Sequence, residues 1–164
     1  MNSQSPPSTP PSSFNQISFT PIVNPDFSQT VDLIRQEHYN AAKENIQNPN
    51  IRKELESEID ADCEWLRNFL FASQIIDEIS PRSRDSIVGL GERMACKFMT
   101  AVLRDQGVDA EYVSLEDVVP EMDDDLYSGG TLDQAFYDRL SVAVGERVRA
   151  CGSRIPVVTG KSQH

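Results

Sequence analysis

The sequence has no apolar run long enough to span a bilayer, which argues against a transmembrane helix. It has only three cysteines in 164 residues, Cys63, Cys96 and Cys151, and no C-x-x-C pair. The two histidines, His38 and His164, stand far from any cysteine, so no metal site is expected and the cysteines read as reduced thiols. Basic residues are also scarce: 15 Lys and Arg against 26 Asp and Glu give a formal net charge of −11. A surface of that sign repels phosphate backbones and anionic lipid, so neither nucleic acid nor membrane is an expected partner. The amino end lacks both the apolar core of a signal peptide and the arginines of a transit peptide, which points to a cytoplasmic protein.

Most of what is present reads as helix. Met1 to Ser13 is nearly all Ser, Pro, Asn, Gln and Thr, too polar to offset its ordering entropy, and residues 1–28 read as a disordered Ser/Pro-rich arm. Phe27, Val31, Ile34, His38, Ala41 and Ala42 then recur at helical spacing, predicting a first helix that ends near Asn48-Pro49. Ile51, Leu55, Ile59, Leu66, Phe69, Leu70 and Ile76 mark a longer second helix. Its Glu54, Glu56, Glu58, Asp60, Asp62 and Glu64 are spread rather than convergent, and they read as a solvated face. Ser80-Pro81 combines a capping hydroxyl with proline at the first helical position. It opens a third helix, Pro81 to Asp105, with Ile87, Leu90, Met94, Phe98, Met99 and Val102 inward and Gly107 as the stop.

A short strand is expected at Ala110 to Ser114, then a solvated loop holding Asp123-Asp124-Asp125 and Ser128-Gly129-Gly130. Three adjacent aspartates on a loop do not by themselves supply magnesium geometry. Thr131 with Gln134 forms a capping box for a fourth helix carrying Phe136, Leu140, Val144 and Val148 on one face. Ile155 to Val158 reads as a short buried strand. The fold class is therefore helix-rich α/β, with about four helices and two short strands, a sparse sheet for so much helix. Gly160-Lys161-Ser162 mimics the end of a phosphate-binding loop, but the earlier glycine such a loop needs is Ile155 here, and no helix follows.

One cluster invites chemistry: Ser80-Pro81-Arg82-Ser83-Arg84-Asp85 leading to Gly89-Leu90-Gly91-Glu92-Arg93. Glu92 lies beside Gly91 in an apolar helical stretch, where a small residue lets a ligand or backbone approach closely. The alternative is that Glu92 simply pairs with Arg82, Arg93 or Lys97. Two glycines in a helix interior each cost about 1 kcal/mol against alanine, which calls for a packing or functional reason.

This cluster resembles the segment of aspartate kinases that runs into their Ser-x-Gly-Glu motif. Leu33-Ile34-Arg35-Gln36-Glu37-His38, Ala110-Glu111-Tyr112-Val113, Leu132-Asp133-Gln134-Ala135-Phe136-Tyr137 and Arg154-Ile155-Pro156-Val157-Val158-Thr159-Gly160 resemble the fungal branch, in its order and at its spacing. Residues 29–160 are thus identified as a partial aspartate-kinase-like domain, with 161–164 as a tail unlike the family. The resemblance implies part of an amino-acid-kinase fold, an αβα sandwich whose amino-terminal half binds aspartate and whose other half binds ATP. It gives Glu92, flanked by Gly91 and Arg93, the role of contacting the substrate L-aspartate. Gly89 stands where the family has the motif's Ser, which removes one hydroxyl near the substrate.

The stretch that resembles the family excludes its opening Lys-Phe-Gly-Gly-Thr-Ser segment, its nucleotide half and its ACT domains. The complete family uses ATP and Mg²⁺; no cofactor-binding or metal-binding residue is expected in this chain, its catalytic residues are left unassigned, and phosphoryl transfer by it alone is expected to fail. The implied function is an aspartate-kinase-like protein, of amino-acid biosynthesis or a secondary-metabolite paralogue, inactive as a kinase by itself. Two alternatives stand beside it. One is a binding module that docks on a full-length kinase or forms a homo-oligomer. The other is a fragment repurposed for non-kinase chemistry with Glu92 as acid or base.

Overall fold

Val31 and Ala42, with Ile34, His38 and Tyr39 beside them, become the inward stripe of α1 (Phe27–Asn45) in a computed structural model that describes residues 27–76, 80–115, 118 and 134–159. The helix starts at Phe27, where the helical periodicity begins, and Ser28 within it is buried. The rest of the arm, the aspartate loop, the cap at Thr131 and the stretch from 160 to 164 lie outside the described residues. Asn48 caps α2 (Pro49–Ile76) by accepting from the Asn50 N–H at 2.9 Å, with Pro49 at the first helical position. Leu55, Ile59, Cys63 and Leu66 form its buried stripe.

The α3 helix (Pro81–Asp105) starts at the expected cap, where Ser80 accepts from the Ser83 N–H. It ends at Gly107, whose φ of +82° suits glycine. There Val108 N–H reaches Leu103 O at 3.0 Å and Gly107 N–H reaches Arg104 O at 3.1 Å, satisfying the last carbonyls. Leu90, Met94 and Ala101 are buried, with Ile87, Phe98 and Val102 packed beside them. Met99 departs from the expectation and is 52% exposed. At about 100° per residue it falls on the far side of the helix from Leu90, Met94 and Ala101.

Two four-residue strands complete the frame with α4 (Gln134–Arg149) between them: β1 (Ala110–Val113) and β2 (Ile155–Val158), paired in parallel with Ala110 opposite Ile155. Of the face expected to anchor α4, Phe136 is fully buried while Leu140, Val144 and Val148 are half-buried. β2 is less covered than a buried strand would be, with Ile155 52% exposed. Arg147 ties α4 to β1 through Glu111 at 2.9 Å.

The core lies where α1, α2 and α3 meet, and each fully buried Leu or Ile there contributes roughly 1.5–3 kcal/mol. The acidic row of α2 is not a uniformly solvated face. Asp60 and Glu64 point toward α1, where Arg35 meets them at 3.1 and 2.6 Å, and Arg67 meets Asp32 at 2.6 Å. Tyr39 packs beside Asp60, and burial followed by that contact pushes its hydroxyl up to about 12. Asp62 turns the other way and is only 6% exposed beneath α3. The helical period divides these acids between neighbours, which a count of charges does not reveal. Among the described residues no helix is long and apolar enough to cross a membrane.

The far end of the bundle is tied by one carboxylate. Asp105, at the end of α3, accepts from Gln47 N–H at 2.9 Å and Asn48 N–H at 2.8 Å in the loop between α1 and α2. Those two donors, Gln47 first, hold its carboxyl below the ordinary range. A depressed folded pKa means the stabilisation is full above the unfolded value and is lost as pH falls through the folded one. Asp105→Ala is therefore expected to lower the melting temperature at neutral pH. Thermal melts taken stepwise into acid should show the gap to the parent closing, and a gap that persists at the lowest pH would refute this tie.

Candidate functional site

Parallel strands offer ligands the space beyond their carboxyl ends, and here that edge is well fixed. Thr159, just past β2 and buried, donates its N–H to Val113 O at 3.3 Å. Its Oγ1 accepts from Leu115 N–H, also at 3.3 Å. α3 runs antiparallel to the strands. Its Thr100, Ala101 and Arg104 border the amino end of β1 at Asp109 and Ala110, whereas Cys96 donates its thiol to Val158 O at 3.6 Å near the carboxyl end. Glu92 lies one turn before Cys96, about 6 Å along the axis of α3.

Gly91, Glu92 and Arg93 are consecutive, so the helix sends them in three directions. Glu92 shares a face with Gly89 and Cys96, at spacings of three and four residues. Its Oε2 is shielded from solvent and has no hydrogen-bond partner among the described residues. Arg93 turns to α2, with Nε 3.2 Å from Asp62 Oδ1 and the guanidinium 5.7 Å from the Trp65 ring centre. Trp65 in turn stacks on Phe69 at 5.0 Å. Lys97 Nζ lies 2.7 Å from Asp62 Oδ2 and 5.9 Å from the centre of the Tyr112 ring on β1. Two of the expected partners of Glu92 are therefore engaged by Asp62; the side chain of the third, Arg82, lies outside the described residues.

Gly91 is exposed, and a Cβ at Gly89 or Gly91 would meet nothing within 4 Å. Close packing of a described backbone does not explain either glycine. Burial, with Glu92 adding to it, pushes the Cys96 thiol up, which keeps it a protonated donor rather than a nucleophilic thiolate. A cavity of about 250 Å³ lies at the other end of the strands, between Leu55, Lys97, Thr100, Ala101, Ala110 and Tyr112. Glu92 is not in its wall, so this cavity and the candidate carboxylate are separate features. No three His, Cys, Asp or Glu side chains among the described residues converge to hold a metal.

Sequence reasoning singled out Glu92 but missed Asp62, Lys97, Cys96 and Thr159. For Asp62 a signal existed: it falls among Ile59, Cys63 and Leu66 on the apolar stripe of α2, an unusual place for an unpaired acid.

No family model matches the chain. Among curated proteins, an aspartokinase of Schizosaccharomyces pombe is 39% identical over 130 residues, 79% of this chain and 24% of that protein. An aspartokinase of Candida albicans is 40% identical over 142 residues, 82% of this chain and 25% of its own length. The aspartokinase of Saccharomyces cerevisiae is 34% identical over 139 residues, 82% and 26% respectively. The chain thus spans about a quarter of the length of the curated relatives it matches.

The open space at the glycines gives a direct test. Gly91→Ala should stabilise the protein by about 1 kcal/mol, since helix propensity improves and nothing clashes. A lower melting temperature for that variant would mean that a neighbour outside the described residues presses on Gly91.

Proposed function

The chain belongs to the aspartokinase family of fungi over the stretch it shares with them, and from that premise we propose that it serves the ATP-dependent phosphorylation of L-aspartate, its own part being to hold the amino acid. The observation that carries this reading is the Glu92 carboxylate, one oxygen of which is shielded and has no hydrogen-bond partner among the described residues. A substrate ammonium is a strong donor, and a charge-assisted hydrogen bond to Glu92 would satisfy that oxygen. Leaving it unsatisfied costs the folded protein on the order of 1–3 kcal/mol, more for a charged group, and a ligand would relieve that cost.

ATP and Mg²⁺ would supply the phosphoryl group and neutralise its charge. In this reading the part of this chain is the amino acid alone. Gly89, three residues before Glu92 and with room for a side chain, is where the family's serine hydroxyl would add a second polar contact.

Isothermal titration of the 164-residue chain with L-aspartate tests the reading. Binding is expected, with no ATP turnover by the chain alone. Glu92→Gln should weaken binding at least tenfold without loss of melting temperature, because the carboxylate oxygen it replaces has no partner to lose. Gly89→Ser should tighten binding. Unchanged affinity in Glu92→Gln would sink the proposal.

A second reading is favoured by one surface. Phe71, Ile75 and Ile76 near the end of α2 are 39%, 64% and 68% exposed, a concentration of apolar area that suits a partner. The chain would then dock on a full-length kinase or on a second copy of itself. Light scattering across a hundredfold dilution series decides the latter: a mass that rises with concentration, and falls back in Ile75→Ser/Ile76→Ser, supports self-association, and a constant monomer mass rejects it.

A further inference from the structure

Residues 51, 54, 55 and 58 of α2 fall on one face at helical spacing, and so do residues 97, 100, 101 and 104 of α3. These two stripes face each other across the cavity of about 250 Å³, and β1 closes its third side at Ala110 and Tyr112. Seven residues of helix make the trough about 10 Å long. We infer that it binds a small aliphatic ammonium compound, with the charged nitrogen between the Glu58 carboxylate and the Thr100 hydroxyl and the alkyl part against Ile51, Leu55 and Ala101. The site is separate from Glu92 and does not rest on the role given to that residue.

Charge decides the sign of the ligand. The wall carries three cations, and each already has an acid: Lys97 meets Asp62 at 2.7 Å, Arg104 meets Glu54 at 3.4 Å and Arg154 meets Glu111 at 2.8 Å. The other two acids of the wall, Glu58 and Asp109, have no side-chain hydrogen bond or ion pair among the described residues. An anion would meet only cations that are matched, whereas a cation would meet a carboxylate that is not.

Depth decides where the nitrogen sits. Thr100 is only 5% exposed, and its hydroxyl donates to Cys96 O at 2.8 Å. With that proton spent, the side chain offers the cavity an acceptor, which suits an N–H donor and not a carboxylate. Asp62 meets Arg93 and Lys97 while Glu54 meets Arg104, so the two antiparallel helices set Glu58 level with Thr100. Glu58 reaches the exposed rim, yet partial burial pushes its carboxyl up, and Lys97 offsets that only in part. The position thus favours a bound proton, and an ammonium would take the proton's place. Leu55 and Ala101 are buried below it and give the alkyl chain an apolar floor.

The test is titration of the 164-residue chain at neutral pH with pentylamine, pentan-1-ol and pentanoate, followed by ligand-observed NMR. Pentylamine should bind, the alcohol at least tenfold more weakly and pentanoate not at all. E58Q, whose carboxylate has no described bond to lose, should keep the parent's melting temperature and bind pentylamine at least tenfold more weakly, with the alcohol unchanged. A101L, which fills the cavity from its floor, should abolish binding of both. E92Q should bind pentylamine as the parent does.

An alcohol that binds as well as the amine would reduce the cavity to an apolar hollow and overturn the proposal. So would undiminished pentylamine binding in E58Q, a loss of it in E92Q instead, or no binding by the parent. Titration with L-aspartate should give the same result for E58Q as for the parent, so failure of the aspartate reading and failure of this one are told apart.

Discussion

A single carboxylate beneath α3 joins most of this structure. Asp62 holds Arg93 and Lys97, and through the ring of Tyr112 the same cluster reaches β1. Removing a charge from water is expensive, and the attraction inside repays it only when geometry is good and every partner is present. Here both carboxylate oxygens are engaged. The consequence is geometric as much as energetic: α3 cannot rotate about its axis without breaking contacts that cost about 3–5 kcal/mol to break one-sidedly. That rotation decides which way Glu92 points.

The contacts between α1 and α2 are of another kind. Arg35 and Arg67 bridge to Asp32, Asp60 and Glu64, but the acids are half exposed, and such pairs are each worth roughly 0.2–1 kcal/mol. Alignment of those two helices falls instead to Val31, Ala42, Ile46, Leu55 and Ile59, with Asp105 fastening the loop between them to the end of α3. The three helices therefore form a unit with its own core. The two-stranded sheet is attached to that unit through α3, by the Cys96 thiol on Val158 and the Lys97 ammonium over Tyr112.

That attachment explains how a helix can carry a binding group for a sheet. β1 and β2 end together, Thr159 fastens one end to the other, and α3 passes across them in the opposite direction. The shared stretch makes up about a quarter of each relative's length, so the ordering seen here is one that a larger protein can build upon. The open faces of β2 and of the end of α2 are compatible with that.

All six elements were legible from the order of residues, because they rest on local rules: apolar periodicity, a serine before a proline, a glycine after the last turn. The resemblance to aspartate kinases was legible too, since motifs and their spacing survive without coordinates. Met99 was expected inward although the helical period sets it opposite Leu90, Met94 and Ala101, and α4 buries less than its pattern suggested because, of its apolar face, Phe136 alone is fully buried. By itself the sequence determined which segments coil, where they stop and which family they resemble. Only the tertiary structure decided which acid lies under α3, which cations it takes, and that an oxygen of Glu92 is left without a described partner. Those outcomes depend on which faces of separate helices meet, and the free energy of a charge is set by that distant company rather than by its neighbours in the chain.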